Sequence, residues 1–379
     1  MSQNNISSGT GWSPSFAAGG EFGLGGGTLD AECRAAGVDP DGVADFSTSV
    51  NPLGPPHCFG AVMGLAATLA AAYPDPECMA AREALAAAHK VRPESLLLGN
   101  GSAELLHLAM RSLSPSRVLV LGPSSPEYIR AAVMVGAKVE LRCAPASRLF
   151  RHDLLATRVV QDFHLVIAGN PNDPTGTFIS PHEFYAWAAE NPGTFFLIDE
   201  GYVDFVGRPG ASLVGINARN IVVLKSPGRF FGIPGLRLGM LWADPEVVRI
   251  VRDHQSPWSV NAISQKLAAG IYSETGYIET THRIMTRERS FLVRGLTEIG
   301  FRVFDSPASF LLLRIEARNV TAPILKGLAL RKGVLILDCS RIDGLGEQFV
   351  RVAIRRRNEN ERLLEAMQKA LEQASAAGS

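Results

Sequence analysis

The chain is expected to fold as an α/β protein, with a mostly parallel central sheet in a larger unit and a smaller α/β unit after it. Two patterns predict this. Short apolar runs near residues 95, 118, 164, 195 and 221 alternate with helical stretches, as strands joined by crossover helices do. Beyond residue 300, runs at 301–304, 310–315, 334–337 and 349–354 surround a helical stretch at 322–332. At 379 residues and 46% hydrophobic content there is material for a large core. Residues 1–27, rich in Gly, Ser and Asn, read as a tail. Residues 59–270 read as the larger domain, and 28–58 with 271–379 as the smaller.

Bulk properties exclude several function classes. Lys plus Arg equals Asp plus Glu at 37 each, so no overall field favours nucleic acid or an acidic membrane. The five cysteines, Cys33, Cys58, Cys78, Cys143 and Cys339, are scattered and odd in number, which fits reduced thiols rather than a disulfide framework or zinc site. No apolar stretch is of bilayer length and no signal peptide is evident, so a cytoplasmic location is expected. Neither a histidine pair at i, i+4, a nucleophile elbow, a Walker loop nor an internal repeat is present.

Taken in order, Leu29–Ala36 suits a short helix, and Phe46-Ser-Thr-Ser-Val-Asn-Pro-Leu-Gly-Pro-Pro56 a rigid extended segment. Tyr73-Pro-Asp-Pro76 separates two alanine-rich helical stretches, 61–71 and 78–90. A strand at 95–98 then runs into Gly99-Asn-Gly-Ser-Ala-Glu104, which opens a helix. Free backbone N–H groups and a positive dipole end at such a turn suit a phosphate. The strand at 118–121 leads into Gly122-Pro-Ser-Ser-Pro-Glu-Tyr128, and that at 164–168 into Asn170-Pro-Asn-Asp-Pro-Thr-Gly176. The strand at 195–198 ends at Asp199-Glu-Gly-Tyr202. After the strand at 221–224 and a turn at Ser226-Pro227-Gly228 comes Gly232-Ile-Pro-Gly-Leu-Arg-Leu-Gly239. Its glycines allow close backbone approach to a ligand, and Arg237 offers a planar fork of donors to a phosphate. Helices are expected over 253–272 and 278–299, the latter with Phe291, Leu292, Leu296 and Ile299 on one face. Asn358 with Glu361 reads as a capping box before the last helix.

In order and spacing these motifs resemble those of fold-type I pyridoxal-phosphate (PLP) enzymes, in particular histidinol-phosphate aminotransferases and threonine-phosphate decarboxylases, from about Gly26 to Ala374. The resemblance implies a PLP-dependent transferase fold of type I, a homodimer, pyridoxal 5'-phosphate as cofactor and a small amino-acid-like substrate. It places Ser102, Ala103, Ser226 and Arg237 around the cofactor phosphate, with Tyr73 reaching it across the dimer interface. It assigns Asp199 to the pyridine nitrogen, whose protonation makes the ring an electron sink, and Tyr202 to the phenolic oxygen. Arg351, in Val-Arg-Val-Ala-Ile, takes the substrate α-carboxylate as a bidentate pair. Asn51 is either a substrate contact or a structural turn.

Four positions depart from the family pattern. Arg229 stands where the Schiff-base lysine belongs, and a guanidinium forms no imine with an aldehyde. Ser125 replaces the aromatic residue that stacks on the pyridine, and Tyr128 either substitutes for it or packs on its helix. Asp173 replaces an asparagine that donates to the phenolic oxygen; an ionised Asp only accepts, so it is expected to pair with Arg229. Leu337 replaces an arginine that recognises the substrate phosphate, with Arg355, Arg356 and Arg357 either compensating or forming a solvated lead-in to a helix. Lys225 is either a recruited substitute lysine or a surface cation. Three readings follow: an atypical enzyme that uses PLP or its amine form noncovalently, a PLP-independent enzyme that puts the phosphate cup to another ligand, and a catalytically silent binding or regulatory relative. The retained Asp199 and Arg351 favour the first.

Overall fold

The computed structural model describes residues 29–152 and 158–377; the expected tail, 1–27, lies outside them. Its larger sheet is built from β2 (Leu96–Asn100), β3 (Arg117–Gly122), β4 (Lys138–Cys143), β5 (Leu165–Gly169), β6 (Phe195–Asp199), β7 (Ile221–Lys225) and β8 (Leu238–Trp242), a short β1 (Ala44–Asp45) preceding them. The strand order is β2-β8-β7-β6-β5-β3-β4. Every neighbouring pair is parallel except the two that β8 makes, with β2 and β7. Period-two alternation sends Val166, Ile198 and Val223 into one buried cluster and Ile167, Leu197 and Val222 into another. Burial on both faces is why these strands appear in sequence as unbroken apolar runs.

The strand β8 was not expected, because its sequence reads as a glycine loop. Its register is set by contact with the helix Gly101–Leu113: a Cβ at Gly239 would collide with the backbone of Gly101 and Ser102. That same contact brings Arg237, one residue before the strand, to the start of this helix.

The smaller unit is an antiparallel sheet of β9 (Phe301–Val303), β10 (Phe310–Ile315), β12 (Leu337–Asp338) and β13 (Phe349–Ala353), in the order β12-β13-β10-β9. β11 (Val334–Leu335) pairs in parallel with β1 and so ties the entry segment to this unit. The helix Thr275–Ile299 packs Leu292 and Leu296 against Phe310, Val350, Leu363 and Met367.

Two expectations are corrected and a third is refined. The helix expected over 253–272 is broken: one helix ends at Arg252 and another starts at Ala262, where Asn261 caps it through the Ser264 N–H at 2.9 Å. The last helix begins at Arg357, so Asn358 and Glu361 lie within it. Its lead-in is instead tied by Asn360 and Glu359, which accept the N–H groups of Arg355 and Arg356. The arginine run is partly solvated, as a lead-in would be, but it is also a clasp. Arg357 reaches the fully buried Glu288 at 2.9 Å, Arg355 bonds the Asp45 carbonyl at 2.9 Å and Arg356 the Pro52 carbonyl at 2.9 Å. Among the described residues no helix is long and apolar enough to cross a membrane, and no cluster of His, Cys, Asp and Glu could hold a metal.

Candidate active site

The candidate residues gather at the carboxyl ends of the parallel strands, where open α/β sheets place their ligands. A cavity of about 40 Å³ there is lined by Ser125, Tyr128, Pro171, Asp173, Asp199, Tyr202 and Arg229. Five of the residues singled out as candidates therefore meet at one point.

Asp199 ends β6. Its carboxylate accepts the Gly201 N–H at 2.9 Å and the Tyr128 hydroxyl at 2.9 Å. Burial raises its pKa above the ordinary carboxylate value, against the opposing charge of Arg229 and these two hydrogen bonds. Two further lone-pair positions on the carboxylate remain available to a ligand donor. Tyr128 is buried on the first turns of the helix Pro126–Met134, so its hydroxyl orients Asp199. Its offset of three residues from Ser125 suggested ring stacking or helix packing, and the sequence carried no signal of this role.

Asp173 is also buried, but its partner differs from the one expected. The Arg351 guanidinium donates Nη1 to Asp173 Oδ1, while the Tyr202 hydroxyl donates to Asp173 Oδ2 at 3.2 Å. The anticipated Arg229–Asp173 ion pair is not formed. Arg229 lies instead with its guanidinium carbon 4.5 Å from the centre of the Tyr202 ring, a cation–π contact. Burial opposes its charge, yet Tyr202, Asp173 and Asp199 outweigh that, and the guanidinium is held above its ordinary value. Arg351, 1% exposed, also donates Nη2 to the Ser47 carbonyl at 2.6 Å. Opposite it in register, Leu337 faces an apolar cluster with Phe150 and Phe304.

Some of the residues expected around a phosphate lie close together. Ser102 and Ala103 lie in the first turn of a helix whose N-cap, Asn100, supplies no side-chain cap. Gly101 has φ +81°, and a Cβ there would run into the Arg237 guanidinium, which thus rests against the helix start. Ser226 precedes the short helix that carries Arg229, with its Cβ 3.7 Å from where a Gly201 Cβ would stand.

Three candidates sit elsewhere. Asn51 is tied into the protein: its Nδ2 donates to the Phe230 carbonyl and to Thr281 Oγ1, each at 2.8 Å, and its Oδ1 accepts the Leu53 N–H at 3.0 Å. It is a structural tether, with both amide protons used. Tyr73 is 85% exposed, 5.2 Å from Trp258. Lys225, expected at the surface or recruited to the site, is 2% exposed and paired with Asp204 at 2.8 Å. Asp199 lies opposite Leu224 in register, so Lys225, one residue on, projects from the other face of the sheet.

On that other face Glu200 is 1% exposed and accepts the Leu213 N–H at 2.7 Å and the Ser212 hydroxyl. Burial pushes its carboxyl up to about 7. A raised carboxyl pKa favours the folded state at low pH, and the benefit is lost as pH rises through the folded value. From this group alone stability should fall by on the order of 3 kcal/mol between acid and weakly alkaline pH. Denaturant unfolding at stepped pH should show that slope in the wild type and its loss in E200Q; an unchanged slope in the variant would discount Glu200.

Comparison with known proteins identifies the family. The family model described as aminotransferase class I and II matches residues 43–367. A histidinol-phosphate aminotransferase of an Anaeromyxobacter species is 32% identical over 335 residues, 86% of this chain and 90% of its own length. The threonine-phosphate decarboxylase of Salmonella typhimurium is 29% identical over 354 residues, 91% of this chain and 96% of its own. The crystal structure of histidinol-phosphate aminotransferase from Clostridium acetobutylicum superposes with a TM-score of 0.81 at 28% identity, covering 87% of this chain and all of that one. At 19% identity the fold is also shared with histidinol-phosphate aminotransferase from Sinorhizobium meliloti in complex with pyridoxal-5'-phosphate, at a TM-score of 0.80 over 95% of this chain and 99% of that one. With the family model matched over residues 43–367 and the fold shared with solved relatives, the chain belongs to the aminotransferase class I and II family.

Proposed function

We propose that this protein is a lysine-less enzyme of its family that holds PLP or its amine form without a covalent bond and acts on an amino acid or a phosphorylated amino-acid derivative. The observation that carries the reading is the seating of Arg237 against Gly101 at the open helix start, at the same end of the sheet as Asp199. A guanidinium fork beside free helical N–H groups suits a phosphate dianion. These residues fit the phosphate and the ring nitrogen of PLP; they do not supply the amine that would bond its aldehyde. When bound, PLP supplies an electron sink.

The chain's own groups then have bounded roles. Asp199, oriented by Tyr128 and Gly201, is placed to keep a proton on a ring nitrogen. Arg229 stays protonated at any working pH, so it can steady negative charge and cannot take a proton from a substrate. Losing a positioned general base lowers turnover by ~10²–10⁴-fold relative to a lysine enzyme. The Tyr202 hydroxyl is already donated to Asp173. The relatives' names carry threonine phosphate and histidinol phosphate, which supports a phosphorylated amino compound as substrate.

One observation favours a second reading, a phosphate-binding relative that does not use PLP. A 40 Å³ cavity holds little more than a water, whereas small-molecule sites run to several hundred Å³, so a ring enters only if lining side chains move. Titration separates the two. Wild-type protein should bind PLP saturably, in competition with inorganic phosphate and with no borohydride-stable adduct. In G101A both ligands should weaken by ~10–100-fold, the worth of a charge-assisted contact. Phosphate binding without PLP binding would move the assignment to the second reading, and binding of neither would remove both. A homodimer with Tyr73 and Trp258 in its interface is part of the proposal, since both are large and exposed; a monomer by light scattering would refute it.

A further inference from the structure

We infer that Asp173 is an internal carboxylate that occupies Arg351 and closes the site to ligands presenting a free carboxylate. The inference rests on the reading that the strand-end cavity is the ligand site, and it narrows that reading from an amino acid to a phosphorylated amine without a free carboxylate. Arg351 is fully enclosed, and its donors are unequally used: Nη1 goes to Asp173, Nη2 to the Ser47 carbonyl, and Nε is buried with no partner. The cavity wall includes Asp173, Tyr202 and Arg229 but not Arg351. An entering anion therefore meets the Asp173 carboxylate before it can meet the arginine behind it.

Charge and entropy point the same way. Each guanidinium here already has a carboxylate near it, Asp173 for Arg351 and Asp199 for Arg229, so the charge of Arg351 is not free for an incoming anion. An incoming carboxylate must displace Asp173 and leave it buried without a cation, which is among the costliest rearrangements in a protein interior. Asp173 also competes as a tethered group, at an effective concentration no free ligand reaches. An amide at position 173 could still accept from Arg351 through its oxygen but carries no charge, and so would return the charge of Arg351 to a ligand. The unpartnered Nε is the donor such a ligand would gain.

Calorimetric titration of the full chain with O-phosphoserine and with phosphoethanolamine, which differ only in the carboxylate, tests this, with inorganic phosphate as a probe of the cup alone. The wild type should bind phosphoethanolamine at least as tightly as phosphoserine. D173N should prefer phosphoserine by ~10–100-fold, the range of a charge-assisted hydrogen bond. A wild type that already prefers phosphoserine tenfold overturns the inference, as does a D173N protein that binds phosphate yet gains no preference. If neither phosphate nor either amine binds either protein, the site reading itself fails and this inference with it. Should D173N unfold, D173A refolded with and without acetate gives a second readout. Acetate-specific recovery, absent with chloride at equal ionic strength, is expected, and its absence counts against the inference.

Discussion

Arg229→Lys should convert a protein that makes no covalent bond to PLP into one that does. The backbone at this position is firmly held: the Asn51 N–H donates to the Arg229 carbonyl at 2.9 Å, and the Asn51 side chain fastens the next residue's carbonyl at 2.8 Å. A lysine here would start from the same anchored short helix, Pro227–Phe230, beside Asp199 and Tyr202. It would lose the planar contact over the Tyr202 ring, because an ammonium is a compact, mobile point charge where a guanidinium is a rigid plate. That frees the ring face and supplies an amine able to exchange protons. Borohydride should then fix one PLP equivalent to the introduced amine by mass, with none on the wild type, and amino-donor turnover should rise by ~10²–10⁴-fold. If R229K binds PLP and stays unlabelled, Arg229 is not what separates this chain from covalent chemistry. A labelled wild type would end the lysine-less reading outright.

How much of this was legible in the sequence depends on whether each feature is local. The strands β3, β5, β6 and β7 could be read because burial on both faces leaves a run such as Ile221–Leu224 uniformly apolar. β8 could not, because Leu238-Gly-Met240 is short and follows a glycine-rich turn; its pairing is dictated by a helix more than a hundred residues earlier. The cavity residues Asp199, Tyr202, Asp173, Ser125 and Arg229 were identified from motif positions, each at the end of a legible strand. Their partners were not. Asp173 and Arg351 are 178 residues apart, and nothing in either neighbourhood says that a carboxylate would meet this arginine rather than Arg229. Asn51 was left as either a substrate contact, which the family resemblance implies, or a structural turn; what decides it, its bonds to Phe230 and Thr281, lies far away in sequence.

Lys225 shows what alternation alone can decide. Once β6 and β7 are aligned, Asp199 sits opposite Leu224, and the period of two sends Lys225 to the other face. There it meets Asp204 at 2.8 Å, and Asp204 also accepts the Tyr272 hydroxyl at 2.9 Å; the ammonium lies 5.3 Å from the centre of the Tyr272 ring. Burial acts to raise the Asp204 pKa, but the Lys225 charge outweighs it and the carboxyl is held below its ordinary value. A depressed carboxyl pKa contributes stability above the ordinary value, and the contribution is lost as pH falls through the folded one. K225M leaves a buried carboxylate unpaired and should destabilise the fold by ~3–5 kcal/mol near neutral pH. The sign of the pH response should also reverse: with its cation gone, burial raises Asp204, so acidification narrows the gap between variant and wild type. K225M/D204L should recover much of the loss, since replacing both members of a buried pair is often neutral. PLP binding per folded molecule should not change, because the pair lies across the sheet from Asp199. Equilibrium unfolding at neutral and acid pH, beside PLP titration, tests each step. A K225M protein as stable as the wild type would remove the structural role, and one that is stable but no longer binds PLP would return Lys225 to the active site.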